Sequence, residues 1–193
     1  MASSTNIRHI FLTGPPGIGK TTLVRKACSE LGAKSIPTQG FYTEEVRAGG
    51  KRIGFDVVTL DGQRGTLAKV GDHKGPKVGQ YTVNLPSFEQ LALPVVSRKP
   101  PGRAISPIFV IDEVGKMELF SQGFIQSVRK LLDQHSSTVL GTIPIPKGRP
   151  LGLVEEIRSR PDVKVVTISK DNRDAILGEI LDSLHHARSG GLR

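Results

Sequence analysis

The chain has 193 residues, 37% of them hydrophobic, and 27 Lys and Arg against 18 Asp and Glu give it a net charge of +9. That length fits one domain with a well-buried core and would cramp a second. No run nears the roughly 20 apolar residues of a bilayer span, the polar start Met1 to Ile7 lacks the apolar stretch of a leader, and the lone cysteine, Cys28, excludes an internal disulfide.

A reducing compartment, cytosol or nucleus, is the expectation. Aromatics at 5% with no Trp argue against a base-stacking nucleic-acid platform. The positive charge suits an anionic ligand, or weak non-specific nucleic-acid binding without sequence readout.

Strand and helix patterns alternate along the chain. His9 to Thr13 is a short apolar strand that runs into a glycine loop. Thr21 to Leu31 has helical spacing and stops at Gly32, with Cys28 inside it as a small hydrophobe. Gly40 to Val46 and Arg52 to Leu60 read as strands joined by a hairpin turn at Ala48 to Lys51. After the Asp61-Gly62 turn come strand patterns at Gly65 to Val70 and Val78 to Leu85, so a β-hairpin-rich insert occupies about residues 40–85. Ser87-Phe88-Glu89-Gln90 has the form of a capping box that opens a helix through Val96. Lys99 to Arg103 is a Pro/Gly surface loop.

The second half repeats the alternation. Ile108 to Ile111 is a buried strand and Glu118 to Gln134 a helix. Thr138 to Ile143 is a strand, Leu151 to Arg160 a short helix, Val163 to Ser169 a last strand and Asp171 to Arg188 a final helix. Residues 189–193 make a flexible tail. The expected fold is α/β: a single domain over 1–193, a three-layer sandwich with a mostly parallel sheet and helices on both faces. The ligand of such a sheet lies outside the carboxyl ends of the strands.

Gly14-Pro15-Pro16-Gly17-Ile18-Gly19-Lys20-Thr21 matches G-x-x-x-x-G-K-[ST]. Its glycines let the backbone curl so that N–H groups face phosphate oxygens. The following helix adds its positive N-terminal end. Lys20 reaches the β- and γ-phosphates, and Thr21 offers a hydroxyl to Mg²⁺. The bland reading is a glycine turn that binds nothing; the strand before it and the helix after it argue for the phosphate loop.

Ile108-Phe109-Val110-Ile111-Asp112-Glu113 is an apolar strand that ends in two carboxylates. Asp112 is placed to hold Mg²⁺ through a water, the Walker-B role. Glu113 is placed to polarise the water that attacks the γ-phosphate. The alternative is a strand exit made soluble by two acids. Thr142, at the end of the next strand, is a candidate sensor of the γ-phosphate or an ordinary strand threonine. Lys116 and Glu118 lie close enough in sequence to line the site or to pair on the surface. Arg149 and Arg173 follow strand ends and are candidate cations for the transferring phosphoryl group, with solvated loop charges as the default. Glu44, Glu45 and Arg47 belong to the insert and are candidates to close over the nucleotide. His73, His135, His185 and His186 show no metal-ligand spacing and read as surface residues.

With those motifs in hand, the blocks Phe11 to Thr22, Gly40-Phe41-Tyr42-Thr43-Glu44-Glu45-Val46-Arg47, Ile53 to Val58 and Asp112-Glu113-Val114-Gly115-Lys116-Met117-Glu118 resemble the cancer-related nucleoside-triphosphatase family. Thr142-Ile143-Pro144 and Asn172-Arg173 fit it too, and the resemblance runs from about Arg8 to His186. It implies a small, monomer-sized enzyme that hydrolyses several nucleoside triphosphates to diphosphates with Mg²⁺ and low base selectivity. It carries nucleotide contacts onto Gly14 to Thr21 and onto Phe109, Val110, Ile111, Asp112, Glu113, Val114, Gly115 and Lys116. Val114 departs from the Ile often found there, and the loops Asp72 to Lys77 and Ser97 to Pro107 look variable. Two rival classes remain: a P-loop kinase with a small acceptor, which Asp112-Glu113 argues against, and a nucleotide-gated RNA- or protein-associated factor, which the charge fits.

Overall fold

The computed structural model describes residues 6–97 and 105–190. Its strands are β1 (His9–Thr13), β2 (Thr38–Ala48), β3 (Lys51–Thr59), β4 (Arg64–Val70), β5 (Lys77–Val78), β6 (Tyr81–Val83), β7 (Ile108–Ile111), β8 (Thr138–Thr142) and β9 (Val163–Thr167). Its helices are α1 (Lys20–Ala33), α2 (Leu85–Ser97), α3 (Gln122–Asp133), α4 (Gly152–Ser159) and α5 (Leu177–Ser189). All strands join one sheet in the order β5-β6-β4-β3-β2-β7-β8-β1-β9. From β2 to β9 the neighbours are parallel; from β2 outward through β3, β4, β6 and β5 they are antiparallel. The sheet is therefore mixed, and the hairpin insert extends it rather than forming a layer of its own.

Side-chain alternation along the parallel strands divides the interior into two cores. Phe11, Phe109, Ile111 and Val139 face one side, with Phe88 of α2, Phe124 and Val128 of α3 and Val154 and Ile157 of α4. Ile10, Leu12, Ile108, Val110 and Leu140 face the other, with Leu23, Val24 and Ala27 of α1 and Ile180 and Leu184 of α5. These strands are apolar on both faces because helices cover both. Phe41, Phe88 and Phe124 meet edge to face at centroid separations of 5.8, 5.9 and 5.1 Å, tying β2 to α2 and α3. The chain steps from β1 to β2 with α1 on one face, then back across the sheet with α3 and α4 on the other, as crossovers of a single hand require.

Several boundaries move from their expected places. Asn84, not Ser87, caps α2: its Oδ1 accepts the Ser87 N–H at 3.1 Å, and the helix starts two residues before the expected box. Glu89 instead accepts the Ser121 hydroxyl at 2.6 Å, while Ser121 Oγ caps α3 by accepting the Phe124 N–H at 3.0 Å. The helix expected from Glu118 thus breaks at Ser121 into a 3-10 turn, Glu118–Phe120, and α3. A turn at Gly79 divides the strand expected from Val78 into β5 and β6. Helix α1 passes Gly32 and ends through Ser35, left-handed at φ 56°, with Ile36 N–H bonded to Leu31 O at 2.9 Å. Residues 171–176 form turns before α5. Ser189, expected in the loose tail, is helical and bonds His185 O. The Lys99 to Arg103 loop and the tail beyond Gly190 lie outside the described residues.

Candidate active site

Strands β1, β8 and β7 are adjacent, and each ends in a polar residue or runs directly into one: Thr13, Thr142 and Asp112. The loop Gly14 to Gly19 leaves β1 and enters α1 on the side of the α1–α5 core. Ile18 is buried in that core and anchors the loop, while Pro15, Pro16 and Gly17 are exposed. Gly14 has φ +155°, and a Cβ there would sit 2.6 Å from the carbonyl oxygen of Ile168, so glycine alone lets β1 turn off at that point. The Ile168 N–H bonds Thr13 O at 2.7 Å and Leu23 N–H bonds Gly19 O at 3.0 Å, fixing the loop at both ends.

Within this frame the ammonium of Lys20 donates to Gly14 O at 2.7 Å and Pro15 O at 3.1 Å, curling back over its own loop. Burial lowers the Lys20 pKa, and the carboxylates of Glu113 and Asp112 oppose that shift. Thr21 Oγ1 donates to Asp112 Oδ2 at 2.5 Å, and Thr142 Oγ1 donates to Asp112 Oδ1 at 2.6 Å. Each oxygen of this buried carboxylate therefore holds one hydroxyl. Burial raises its pKa, and the two hydroxyls and Lys20 act against the rise.

Glu113 follows through a cis peptide and is half-buried. Burial and the Asp112 charge push its carboxyl up to about 7, with Lys20 opposing. Glu118 is buried, and burial together with Glu113 holds its pKa well above the usual carboxylate range. A Cβ placed on Gly115 would lie 2.4 Å from Glu113 Oε1 and 2.9 Å from Glu118 Oε2, so the two carboxyls converge on that glycine. Among the described residues no group of three or more His, Cys, Asp or Glu could hold a metal ion. Thr21 and Asp112 do place two hard oxygen donors together, which suits Mg²⁺ completing its shell with water and phosphate oxygens.

Lys20, Thr21, Asp112, Glu113 and Thr142 thus come together as the motifs implied. Phe109, Val110, Ile111 and Val114 are buried in the cores or between them, so their side chains position Asp112 rather than face the loop. Lys116 is exposed. Arg173 Nη1 donates to Ile18 O at 3.4 Å, which puts its guanidinium against the phosphate loop. Arg149 is exposed after β8; among the described residues no hydrogen bond joins it to the site. Glu44 pairs with Arg64 of the sheet extension and with Arg25 of α1, and Glu45 pairs with Arg47 and Arg52 of the extension. Cys28 is half-buried, and burial pushes its thiol up to about 11, as a packing residue requires. One contact had no signal in the sequence: Arg158 of α4 reaches Thr13 Oγ1 at 3.1 Å and Pro144 O at 2.7 Å.

Known proteins share this architecture. The family model described as NTPase matches residues 9–181. The chain is 58% identical over 187 residues to the cancer-related nucleoside-triphosphatase homolog of Bos taurus, spanning 94% of this chain and 98% of that one. The solution structure of a human cancer-related nucleoside triphosphatase superposes with a TM-score of 0.80 at 57% identity, covering 91% of this chain and 96% of that one. The crystal structure of THEP1 from Aquifex aeolicus gives 0.81 at 39%, covering 91% and 98%. With its phosphate loop, acidic strand end and sheet all in place, the chain belongs to the NTPase family.

Proposed function

We propose that this protein hydrolyses nucleoside 5'-triphosphates, ATP, GTP, CTP, UTP and TTP alike, to the diphosphate and inorganic phosphate in the presence of Mg²⁺. The observation that carries the reading is the half-buried Glu113 carboxylate set directly after Asp112, within electrostatic reach of Lys20. The relatives' names, nucleoside-triphosphatases from mammals and from Aquifex aeolicus, support it.

The roles follow from the chemistry. Backbone N–H groups of the loop Gly14 to Thr21, all but Pro15 and Pro16, and the ammonium of Lys20 bind the triphosphate, Lys20 exchanging its two carbonyl partners for β- and γ-oxygens. Thr21 and, through a water, Asp112 would hold Mg²⁺, which would supply neutralisation of the triphosphate's negative charge. Glu113 accepts a proton from water as the water oxygen bonds to the γ-phosphorus; the bond from that phosphorus to the β–γ bridging oxygen breaks, and the electron pair leaves with the diphosphate. Its raised pKa keeps it basic enough to take that proton near neutrality. The grip is built on groups that every triphosphate offers, which favours low base selectivity. The same reading has the chain acting as a monomer in the cytosol or nucleus, with at most weak, non-specific affinity for nucleic acid.

The test is phosphate release across a panel of nucleoside triphosphates. Glu113→Gln should bind nucleotide and lose about 10²-fold or more in turnover, the scale of general-base assistance. Lys20→Ala should lose both binding and turnover, and chelating Mg²⁺ should abolish release. Near-normal turnover by Glu113→Gln would remove Glu113 from its role, and diphosphate formed only with an added acceptor, the phosphoryl group passing to that acceptor and not to water, would make the protein a kinase.

A further inference from the structure

We infer that Arg158 is a positioning residue for this hydrolysis: its guanidinium clasps the exit of β1 to the exit of β8, and so sets the phosphate loop against Thr142 and Asp112. The inference rests on the proposed function and adds a residue to it. Both hydrogens of Nη2 are used, one on Thr13 Oγ1 at 3.1 Å and one on Pro144 O at 2.7 Å. Thr13 is the last residue before Gly14, whose carbonyl holds Lys20. Pro144 lies two residues past Thr142, whose hydroxyl holds Asp112 and whose carbonyl accepts the Val114 N–H at 2.9 Å. One planar group therefore joins the two strand ends that carry the phosphate grip and the carboxylate clamp. It does so from the α4 face, opposite α1.

The energetic pattern points to function rather than to stability alone. Nε of Arg158 is the single buried side-chain nitrogen or oxygen without a hydrogen-bond partner among the described residues. An orphaned buried donor is a cost to the fold. A clasp selected only to stabilise the fold would avoid that cost with an apolar side chain over the same strand ends. Sites that break the rule of satisfied buried polar groups are where function is expected to compensate. The rigid fork of arginine fixes two acceptors in one plane, which a lysine ammonium does not do. Misplacing a reacting geometry by an ångström is costly to the chemical step and nearly neutral for binding, because the phosphate grip itself stays intact.

Arg158→Met and Arg158→Lys in the full chain, measured beside the wild type, test the clasp. Turnover is scored per site that binds a slowly hydrolysed triphosphate analogue. If the wild type itself releases no phosphate, the proposed hydrolysis falls, and the clasp falls with it. If the wild type turns over, Arg158→Met should lose about 10-fold or more in kcat, with the analogue's dissociation constant within about twofold of wild type. Arg158→Lys should recover part of the loss, and guanidinium added to Arg158→Ala should raise its turnover. Wild-type kcat per binding site in Arg158→Met overturns the inference, as does a loss confined to KM and analogue binding. If Arg158→Met does not fold, Arg158→Lys decides: a kcat below wild type with unchanged analogue binding supports the clasp, and a wild-type kcat overturns it.

Discussion

Asp112 shows how narrowly the site is built at the scale of single residues. Its carboxylate is buried, which favours the protonated form, yet the reading needs it ionised beside Mg²⁺. Two hydroxyls, from Thr21 and Thr142, and the Lys20 charge act against the burial. Thr142→Val keeps the shape and removes one of those donors. The expected outcome is a 10- to 100-fold loss of turnover, roughly the effect of removing a group that orients a metal-bound carboxylate, together with a higher Mg²⁺ requirement. A magnesium titration of phosphate release checks it; an unchanged requirement would return Thr142 to the ordinary strand threonines. Lys20, Thr21, Asp112 and Glu113 were legible because each sits at a fixed offset from a strand end. Arg158 was not. It is one arginine on a short amphipathic helix, more than 140 residues from Thr13, and the sequence directed attention to Arg149 and Arg173 instead. Only the packing of Val154 and Ile157 under α4 aims Arg158 at the strand ends.

At the scale of elements, periodicity located the strands and helices, and side-chain chemistry decided their ends. Ser87 to Gln90 carried the letters of a capping box, but Asn84 is an equally good cap and lies three residues earlier, so α2 begins there. Glu89 was thereby free to bond Ser121 across to α3. The hairpin of β2 with β3 was signalled by the turn at Ala48 to Lys51, but the pairing of β2 with β7 had no local signal, because it joins residues 38–41 to residues 108–111. It depends on Gly40, at φ +142°, where a Cβ would fall 1.9 Å from Val110 O. Gly40→Ala should force β2 from β7 at the residue before Ile111 and destabilise the fold by about 4 kcal/mol or more, an exceptional loss for one methyl group. Urea denaturation measures it; a midpoint equal to wild type would show that the two strands can part there without penalty.

For the molecule as a whole, acid is the condition that exposes its weak point. His9 is fully buried at the start of β1. Its Nδ1 accepts the Val139 N–H at 3.2 Å, and its Nε2 lies 3.1 Å from Leu132 O, so the ring is neutral with its proton on Nε2. A second proton would have to displace the Val139 bond. Burial lowers the pKa from 6.5 to about 4, against the pull of Asp162. The unfolded chain then takes up the proton first, so the His9 contribution to stability is full above pH 6.5 and declines as pH falls towards 4. The loss over that range is on the order of 3 kcal/mol at most. Asp162 adds a second, lower limb. Burial would raise its carboxyl, but the bonds from Arg160 and Arg8 outweigh burial and bring it from 3.8 to about 2. Its contribution is present above pH 3.8 and is lost towards pH 2. Urea unfolding from pH 7 to 4 should show the His9 limb as the difference between wild type and His9→Gln, because the raised carboxyls of Glu113 and Glu118 favour the fold as pH falls and oppose that limb in both proteins; equal pH slopes in the two would remove His9 from this role.

The alternation of strands and helices, the phosphate loop and the acidic strand end could be read from the residues alone, because each is a local pattern whose spacing is set by backbone geometry. Those residues also pointed to the family. The tertiary structure alone decided that β8 lies between β1 and β7, which brings Thr142 to Asp112 and Pro144 to Arg158. It alone decided that the hairpin insert would lengthen the sheet rather than stand as a separate lid. Strand order is a matter of which apolar faces the helices bury, and burial is a property of the folded whole that no short window of residues contains.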